Sequence, residues 1–544
     1  MRFRVLGTIA SAIFLASISV AQTKPDNGNY SAITAGRLRA HLEFIANDLL
    51  EGRDTPSRGL SIASEYLASQ LKLWGVQPGG PGGSYFQTFP IGNTKLDGDK
   101  SIATFNSVSY AAFQGFIPQF SKGRASASLV YVGHGFRIPG RSVDPYKGVD
   151  VRGKILVRLN SQPKEWNWQE FFEGKMPGAQ TAEQAALAMG AVGIVVIPDE
   201  VSATNWDRNA KSMKEATLMV NAGGNMGPAI PIVTASPGMV RNIFADESVT
   251  YDQLSERIKK GEPGDSFALK TERALTLEVV QKDQVEQVRN VVGIIRGSDP
   301  KLNAEYVAIG AHYDHVGKRD GEGDTIYNGA DDDGSGTVSI LELAHALATG
   351  PKPKRSILFV WHAGEEKGLW GSDFFTRNPT VPIKSIVAQL NVDMIGRSKK
   401  AGDADPRNKM LTGPDSIYVI GSRRLSTELG DLCQRVNAAL FKLGFDYHYD
   451  QPNDPENLYE RSDHFNYARY GIPIAFFFDG VHEDYHQVGD QVEKIDFRKM
   501  ARVSQTICGI AWKLANQANR PKVDKKPTSR PSPVAEGRSA SKAS

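Results

Sequence analysis

Glu305-Tyr-Val-Ala-Ile-Gly-Ala-His312 and Arg355-Ser-Ile-Leu-Phe-Val-Trp-His362 are near-continuous apolar runs, and each ends on a histidine. Between them, Gly336 to Thr349 (GTVSILELAHALAT) carries apolar residues at helical spacing. Such runs read as strands buried on both faces, and strand–helix–strand order reads as a parallel sheet covered by helices. Moving outward, the rhythm continues through Ser385–Met394, Asp415–Gly421, a helical Leu425–Gly444, and Gly471–Asp479. The expected fold class is therefore α/β, with a mostly parallel mixed sheet flanked by helices.

Upstream, Leu38–Leu50 and Ser61–Gly75 have the three-to-four spacing of amphipathic helices, and Gly75 reads as a helix stop. Between about 125 and 270 the texture changes. Ser126–Gly133, Gly153–Leu159 and Val192–Ile197 are β-rich runs, with a helical Thr181–Ala191 before the third, and glycines and prolines separate the pieces. A compact β-rich module suits this stretch. Val288–Gly297 then resumes a strand rhythm. The expected division is 1–21 as a signal peptide, 22–118 as the first part of the α/β domain, 119–275 as the inserted module, 276–520 as the main part of the α/β domain, and 521–544 as a disordered basic tail.

The ends of the chain set its class. Arg2 and Arg4 form a basic head, Val5 to Val20 is a short run of apolar and small residues, and Ser19-Val20-Ala21 is a small-x-small cleavage signal. That is the pattern of a secretory signal peptide, too short to span a bilayer comfortably. It predicts a secreted or periplasmic protein with no membrane span after cleavage. From Lys522 the composition is Pro, Ser, Lys and Arg, which cannot bury enough surface to fold alone. The formal net charge is +3, but the head and tail supply the excess, and the body between them is mildly acidic. No nucleic-acid groove is expected. Cys433 and Cys508 are the only cysteines; they could form one bridge in an oxidising compartment, but they lack the spacing of a zinc-thiolate site.

Five metal-type side chains punctuate the second half: His312, Asp332, Glu366, Asp393 and His486. Most lie at a strand end or in the loop after it, where ligands gather in open α/β sheets. Asp332 lies in the Gly-rich loop that opens the next helix. Two imidazoles and three carboxylates suit a pair of divalent metals, which needs a bridging carboxylate and terminal ligands on each side. Asp332 is the candidate bridge, with His312 and Asp393 completing one position and Glu366 and His486 the other. Asp314, two residues after His312, is placed to fix an imidazole tautomer. Glu365 is a spare carboxylate that could move a proton. Asp331 and Asp333 read as orienting their loop, and His315 and His362 as packing or hydrogen-bonding residues. Taken singly, each of these is an ordinary residue; their order along the chain carries the signal.

The stretches AHYDHVG (311–317), NGADDDGSG (328–336), GEEKGLWGS (364–372), NVDMIG (391–396), YERSDHF (459–465) and YHQVGD (485–490) resemble the co-catalytic di-zinc aminopeptidases, whose relatives include glutamate carboxypeptidase-like enzymes and glutaminyl cyclases. The resemblance covers about 30 to 520. It implies a metal-dependent exopeptidase with two Zn2+, although such a donor set also accepts Mn2+ or Co2+. It implies Glu365 as general base, Glu366 as ligand, Tyr459 as a donor to the oxyanion, and a protease-associated domain as the inserted module. Acidic groups around the metals suit a free α-ammonium, so peptides with a free N-terminus are the expected substrates.

Two other readings compete. His482-Glu-Asp-Tyr-His486 matches the H-E-x-x-H signature of single-zinc metalloproteases, with Glu483 as base. That motif works only on a helix, and Gly480 and Gly489 bracket this one closely. A non-catalytic binding ectodomain should have lost ligands or the base, yet every expected position is filled.

Overall fold

The computed structural model describes residues 28–526, apart from 173, 222–226, 271–273 and 453. The expected signal peptide and most of the expected basic tail lie outside the described residues.

The elements that frame the site are α1 (Ala35–Ile45), α2 (Arg58–Leu73), β1 (Phe86–Leu96), β2 (Gln281–Ile295), β3 (Tyr306–His312), α3 (Gly336–Thr349), β4 (Ser356–His362), β5 (Ile386–Val392), β6 (Ser416–Ile420), α4 (Thr427–Ala439), β7 (Ile474–Phe478) and α5 (Phe497–Asn516). Every residue of β3, β4, β5 and β7 is buried. This is why those segments read as unbroken apolar runs: their sheet is covered on both faces. Pairing runs β1-β2-β4-β3-β5-β7-β6. β4, β3, β5 and β7 are mutually parallel, while β1, β2 and β6 join antiparallel. The sheet is thus mixed with a parallel centre.

One large core packs α1, α2, α3 and α5 against one face through residues such as Leu38, Leu67, Leu341 and Ile507, and a second core fills the other face around Phe375, Tyr467 and Phe476. Thr34 and Ser57 cap α1 and α2 by accepting from the N–H groups of Arg37 and Leu60. Cys433 and Cys508 are buried, free thiols, and burial pushes both up to about 12.

The middle module has two sheets of its own. A six-stranded sheet includes the expected runs Leu129–Tyr131, Ile155–Leu159 and Gly193–Ile197, with these three parallel. A four-stranded sheet pairs Leu275–Val279 with both Ile102–Phe105 and Gly123–Ala127. The module's sheets therefore begin before residue 119, because Ile102–Phe105 is held by a strand 170 residues later that local sequence cannot reveal. In the opposite sense, Thr217–Val220 leaves the module and pairs with β1 at the edge of the main sheet. No described helix is long and apolar enough to cross a membrane.

A buried ionic cluster clamps the helical face. Glu342 on α3 accepts from Arg37 Nε and Nη2 at 2.6 and 2.9 Å, and lies 2.9 Å from His41 Nε2, all across to α1. His41 Nδ1 continues to the Tyr66 hydroxyl on α2 at 2.7 Å. Burial works against the Glu342 carboxylate, but the hydrogen bonds from His41 and Arg37 overcome it and hold its pKa below the usual value. A lowered folded-state pKa stabilises the fold above the unfolded value of roughly 4.3, and that contribution is lost as pH falls through the folded value. Glu342→Gln is expected to cost about 2 kcal/mol at neutral pH, a figure kept modest because Arg37 is partly solvated. Urea unfolding at pH 7 and pH 3 checks this: the variant should be weaker at pH 7 and close to the parent at pH 3.

Candidate metal centre

The sheet brings the scattered candidates to one end. His312 is the last residue of β3, Asp393 directly follows β5, Glu365 and Glu366 lie in the loop after β4, His486 lies in the loop after β7, and Asp332 lies just before α3. His312 Nε2 is 3.3 Å from Asp332 Oδ1 and 3.6 Å from Asp393 Oδ1. His486 Nε2 is 3.1 Å from Asp332 Oδ2 and 3.0 Å from Glu366 Oε2. Asp332 thus turns one oxygen to each group. Both groups have donor atoms close enough together to hold a metal ion, and Asp332 belongs to both.

The donor chemistry fits divalent cations. Ligand atoms about 2.0–2.2 Å from one ion stand a little over 3 Å from each other, which is the spacing seen here. Asp332 Oδ2 and His486 Nε2 are buried, face each other, and have no hydrogen-bond partner. A cation held by these side chains would satisfy both. Burying Asp332, Glu366, Asp393 and Glu365 side by side is otherwise unfavourable, since buried charges are paired or coordinate metals.

The shell around these atoms sets their orientation. His312 Nδ1 is 3.2 Å from the Asp314 carbonyl oxygen and 3.7 Å from its Oδ1, so donation there leaves Nε2 as the free lone pair. The Asp314 carboxylate accepts from Thr55 Oγ1 at 3.0 Å and from the Glu365 N–H at 3.2 Å, so it also places the Glu365 loop. Asp333 accepts from the backbone N–H groups of His312, Gly336 and Met394, tying three ligand-bearing segments to one carboxylate. Asp490 accepts from the N–H groups of Asp331 and Asp332. Fully buried Arg53 donates to the carbonyls of Ile45, Tyr313, Asn328 and Gly329. The loop that carries Asp332 is therefore held on all sides.

Charge in the centre follows this packing. Burial raises the Glu365 pKa well above its usual value, with Glu366 and Asp393 adding to the effect and His312 opposing it. Burial disfavours the charged His486 imidazole, but Asp332 and Glu366 outweigh it and raise its pKa to about 10. Glu365 Oε2 stands 3.9 Å from His312 Nε2 and belongs to neither ligand group. It is the carboxylate left over.

Residues 290–511 match the family model described as Peptidase family M28. This part of the chain is similar to peptidase family M28. Curated proteins named probable leucine aminopeptidase, from Trichophyton verrucosum (strain HKI 0517) and Arthroderma benhamiae (strain ATCC MYA-4681 / CBS 112371), are each 30% identical over 251 residues, which is 43% of this chain and 62% of theirs. The chain thus spans about three-fifths of the length of the curated relatives it matches. The solved aminopeptidase from Aneurinibacillus sp. strain AM-1 aligns over 92% of this chain and 98% of that one, at 18% identity and a TM-score of 0.49.

One expected residue lies elsewhere. Tyr459 does not line the cleft; its ring lies under the Arg424 guanidinium at 4.3 Å, in a separate pocket with Asp450 and Gln451. The reason is local. Leu458–Glu460 is a 3-10 turn, so adjacent side chains diverge, and Leu458 faces the cleft instead. The tyrosine on the cleft is Tyr485, stacked on the His486 ring at a centroid distance of 4.0 Å. Its place beside a ligand histidine was the available signal.

The H-E-x-x-H segment lies in turns, not on a helix. His482 Nε2 faces Asp331 Oδ2 at 3.2 Å, away from His486, and Glu483 accepts from Arg397 Nη2 at 3.1 Å. His482, Glu483 and Asp484 cluster closely enough to hold an ion, but Arg397 and Lys494 already supply their cations.

His315, expected as a packing or hydrogen-bonding residue, sits inside the centre. It is fully buried, its Nδ1 is 2.8 Å from Glu366 Oε1, and it groups with Asp332, Glu366 and His486. The two oxygens of Glu366 are thereby divided, Oε1 to His315 and Oε2 toward His486. His315→Ala is expected to weaken divalent-metal binding by about tenfold to a hundredfold, the usual effect of losing a partner that orients a ligand. Zinc titration against a competing chelator measures this, and unchanged affinity contradicts it.

Proposed function

We propose that the protein is an exported, metal-dependent aminopeptidase that holds two divalent ions, zinc in the first instance, and removes N-terminal residues from peptides. The observation that supports this most is the division of Asp332 between two donor groups, with Glu365 standing beside them uncommitted. In this reading His312 and Asp393 would hold one ion and Glu366 and His486 the other, with Asp332 serving both. Export rests on the signal pattern of residues 1–21, and the two-sheet middle module is assigned as a protease-associated domain on its β-rich runs.

A pair of divalent cations, when bound, acidifies a water and polarises the scissile carbonyl. The chain's own residues do the rest. Glu365, held over the centre by the bond from its N–H to Asp314, takes the proton of the attacking water and gives it to the leaving amine. Asp314 keeps His312 Nδ1 protonated, so that Nε2 remains a ligand. Tyr485 lines the cleft with its hydroxyl as the available phenolic donor to the oxyanion. Met394, Leu458, Phe476, Phe478 and Val481 form an apolar wall for the first side chain of the substrate. The free α-ammonium of that residue is attracted by the carboxylates around the centre, which favours cleavage from the amino end.

Two substitutions test the assignment. Glu365→Gln is expected to lower kcat on aminoacyl-nitroanilides by about 10²–10⁴-fold, with metal content near that of the parent. Glu483→Gln is expected to leave kcat within about twofold, since its carboxylate serves only Arg397 in the turn. The opposite pattern would install the H-E-x-x-H reading. Chelation should abolish turnover, and stepwise zinc return should restore it, reaching full activity at about two ions per chain.

A further inference from the structure

The cleft has one cationic side chain that its chemistry does not account for. Arg461 lines it together with His312, Asp332, Glu365, Glu366 and Asp393. It is exposed, and its guanidinium has no ion pair among the described residues. Nearby arginines differ: Arg424 pairs with Asp450 at 3.5 Å, Arg469 with Asp373 at 3.8 Å, and Arg397 with Asp484 at 3.0 Å.

Charge balance sharpens the point. Asp332, Glu366 and Asp393 answer to the cations for which the centre is built, and Glu365 is given to moving a proton, so none of them forms a standing ion pair with a guanidinium on the wall. An arginine left unpaired beside a reaction centre presents a planar fork that matches a carboxylate in two parallel hydrogen bonds. The adjoining side chains Leu458, Phe476 and Phe478 are apolar and suit the methylene part of a substrate residue. An apolar wall ending in a cation is complementary to an acidic residue, as an aliphatic stem capped by a carboxylate.

We propose that Arg461 is a substrate-carboxylate receptor, which makes the enzyme favour peptides with a carboxylate close to the scissile bond. This rests on the aminopeptidase reading and deepens it. The carboxylate has two possible sources: the side chain of an N-terminal Glu or Asp, or the α-carboxylate of the residue after the scissile bond in a dipeptide.

Two substrate pairs that differ only in charge separate these sources. Glutamyl- and glutaminyl-nitroanilide report the side-chain carboxylate, while Leu-Gly and Leu-Gly-amide report the downstream one. In the zinc-loaded parent, one pair is expected to favour its carboxylate member in kcat/KM by about tenfold or more, as for a hydrogen bond to a charged group. In Arg461→Gln that ratio should fall to near one, and in Arg461→Lys it should be partly retained and decline with added salt. Turnover with both ratios near one in the parent, or a preference that survives Arg461→Gln, overturns the proposal while leaving the aminopeptidase reading intact. Absence of turnover on all four substrates and on leucyl-nitroanilide overturns both.

Discussion

Everything near the strand ends depends on one carboxylate facing two ways. Asp332 must present Oδ1 to His312 and Oδ2 to His486, and it does so while almost fully buried. A buried side chain with that duty cannot be held by its own rotamer preference alone. Asp490 fixes its N–H, Asp333 binds the next turn to β3 and to the end of β5, and Arg53 fastens the carbonyls of Asn328 and Gly329. The acidic triplet is therefore three parts with three duties. Asp331 accepts from the Gly396 N–H, Asp332 faces the centre, and Asp333 ties the segments together.

The parallel centre of the sheet makes this convergence possible. β4, β3, β5 and β7 run the same way, so the residues after each strand arrive at one edge even though they are far apart in the chain. The Glu342 cluster on the helical side holds α1 and α3 together, and α3 begins at the loop that carries Asp332. Stability on that face and ligand placement are joined through a single helix.

Much of this was legible from the chain. Unbroken apolar runs mark doubly covered strands because no alternation survives when both faces are buried, and GTVSILELAHALAT coincides with α3 residue for residue. The candidate ligands were legible because each sits at a strand end or a helix start. What escaped was decided by long-range geometry. Ile102–Phe105 and Thr217–Val220 are short strands whose partners lie far away, so no local pattern marks them. Tyr459 and Leu458 exchange roles through the rotation of one 3-10 turn. The position of His315 against Glu366 depends on how the loops after β3 and β4 face each other, which spacing along the chain does not encode.

The central claim is that two metal ions share Asp332, and anomalous diffraction at the zinc edge from zinc-soaked crystals tests it most directly. The account predicts two anomalous peaks roughly 3.5–4 Å apart. One should lie between His312 and Asp393, the other between Glu366 and His486, with an oxygen of Asp332 on each. A single peak, or a peak among His482, Glu483 and Asp484, would contradict it.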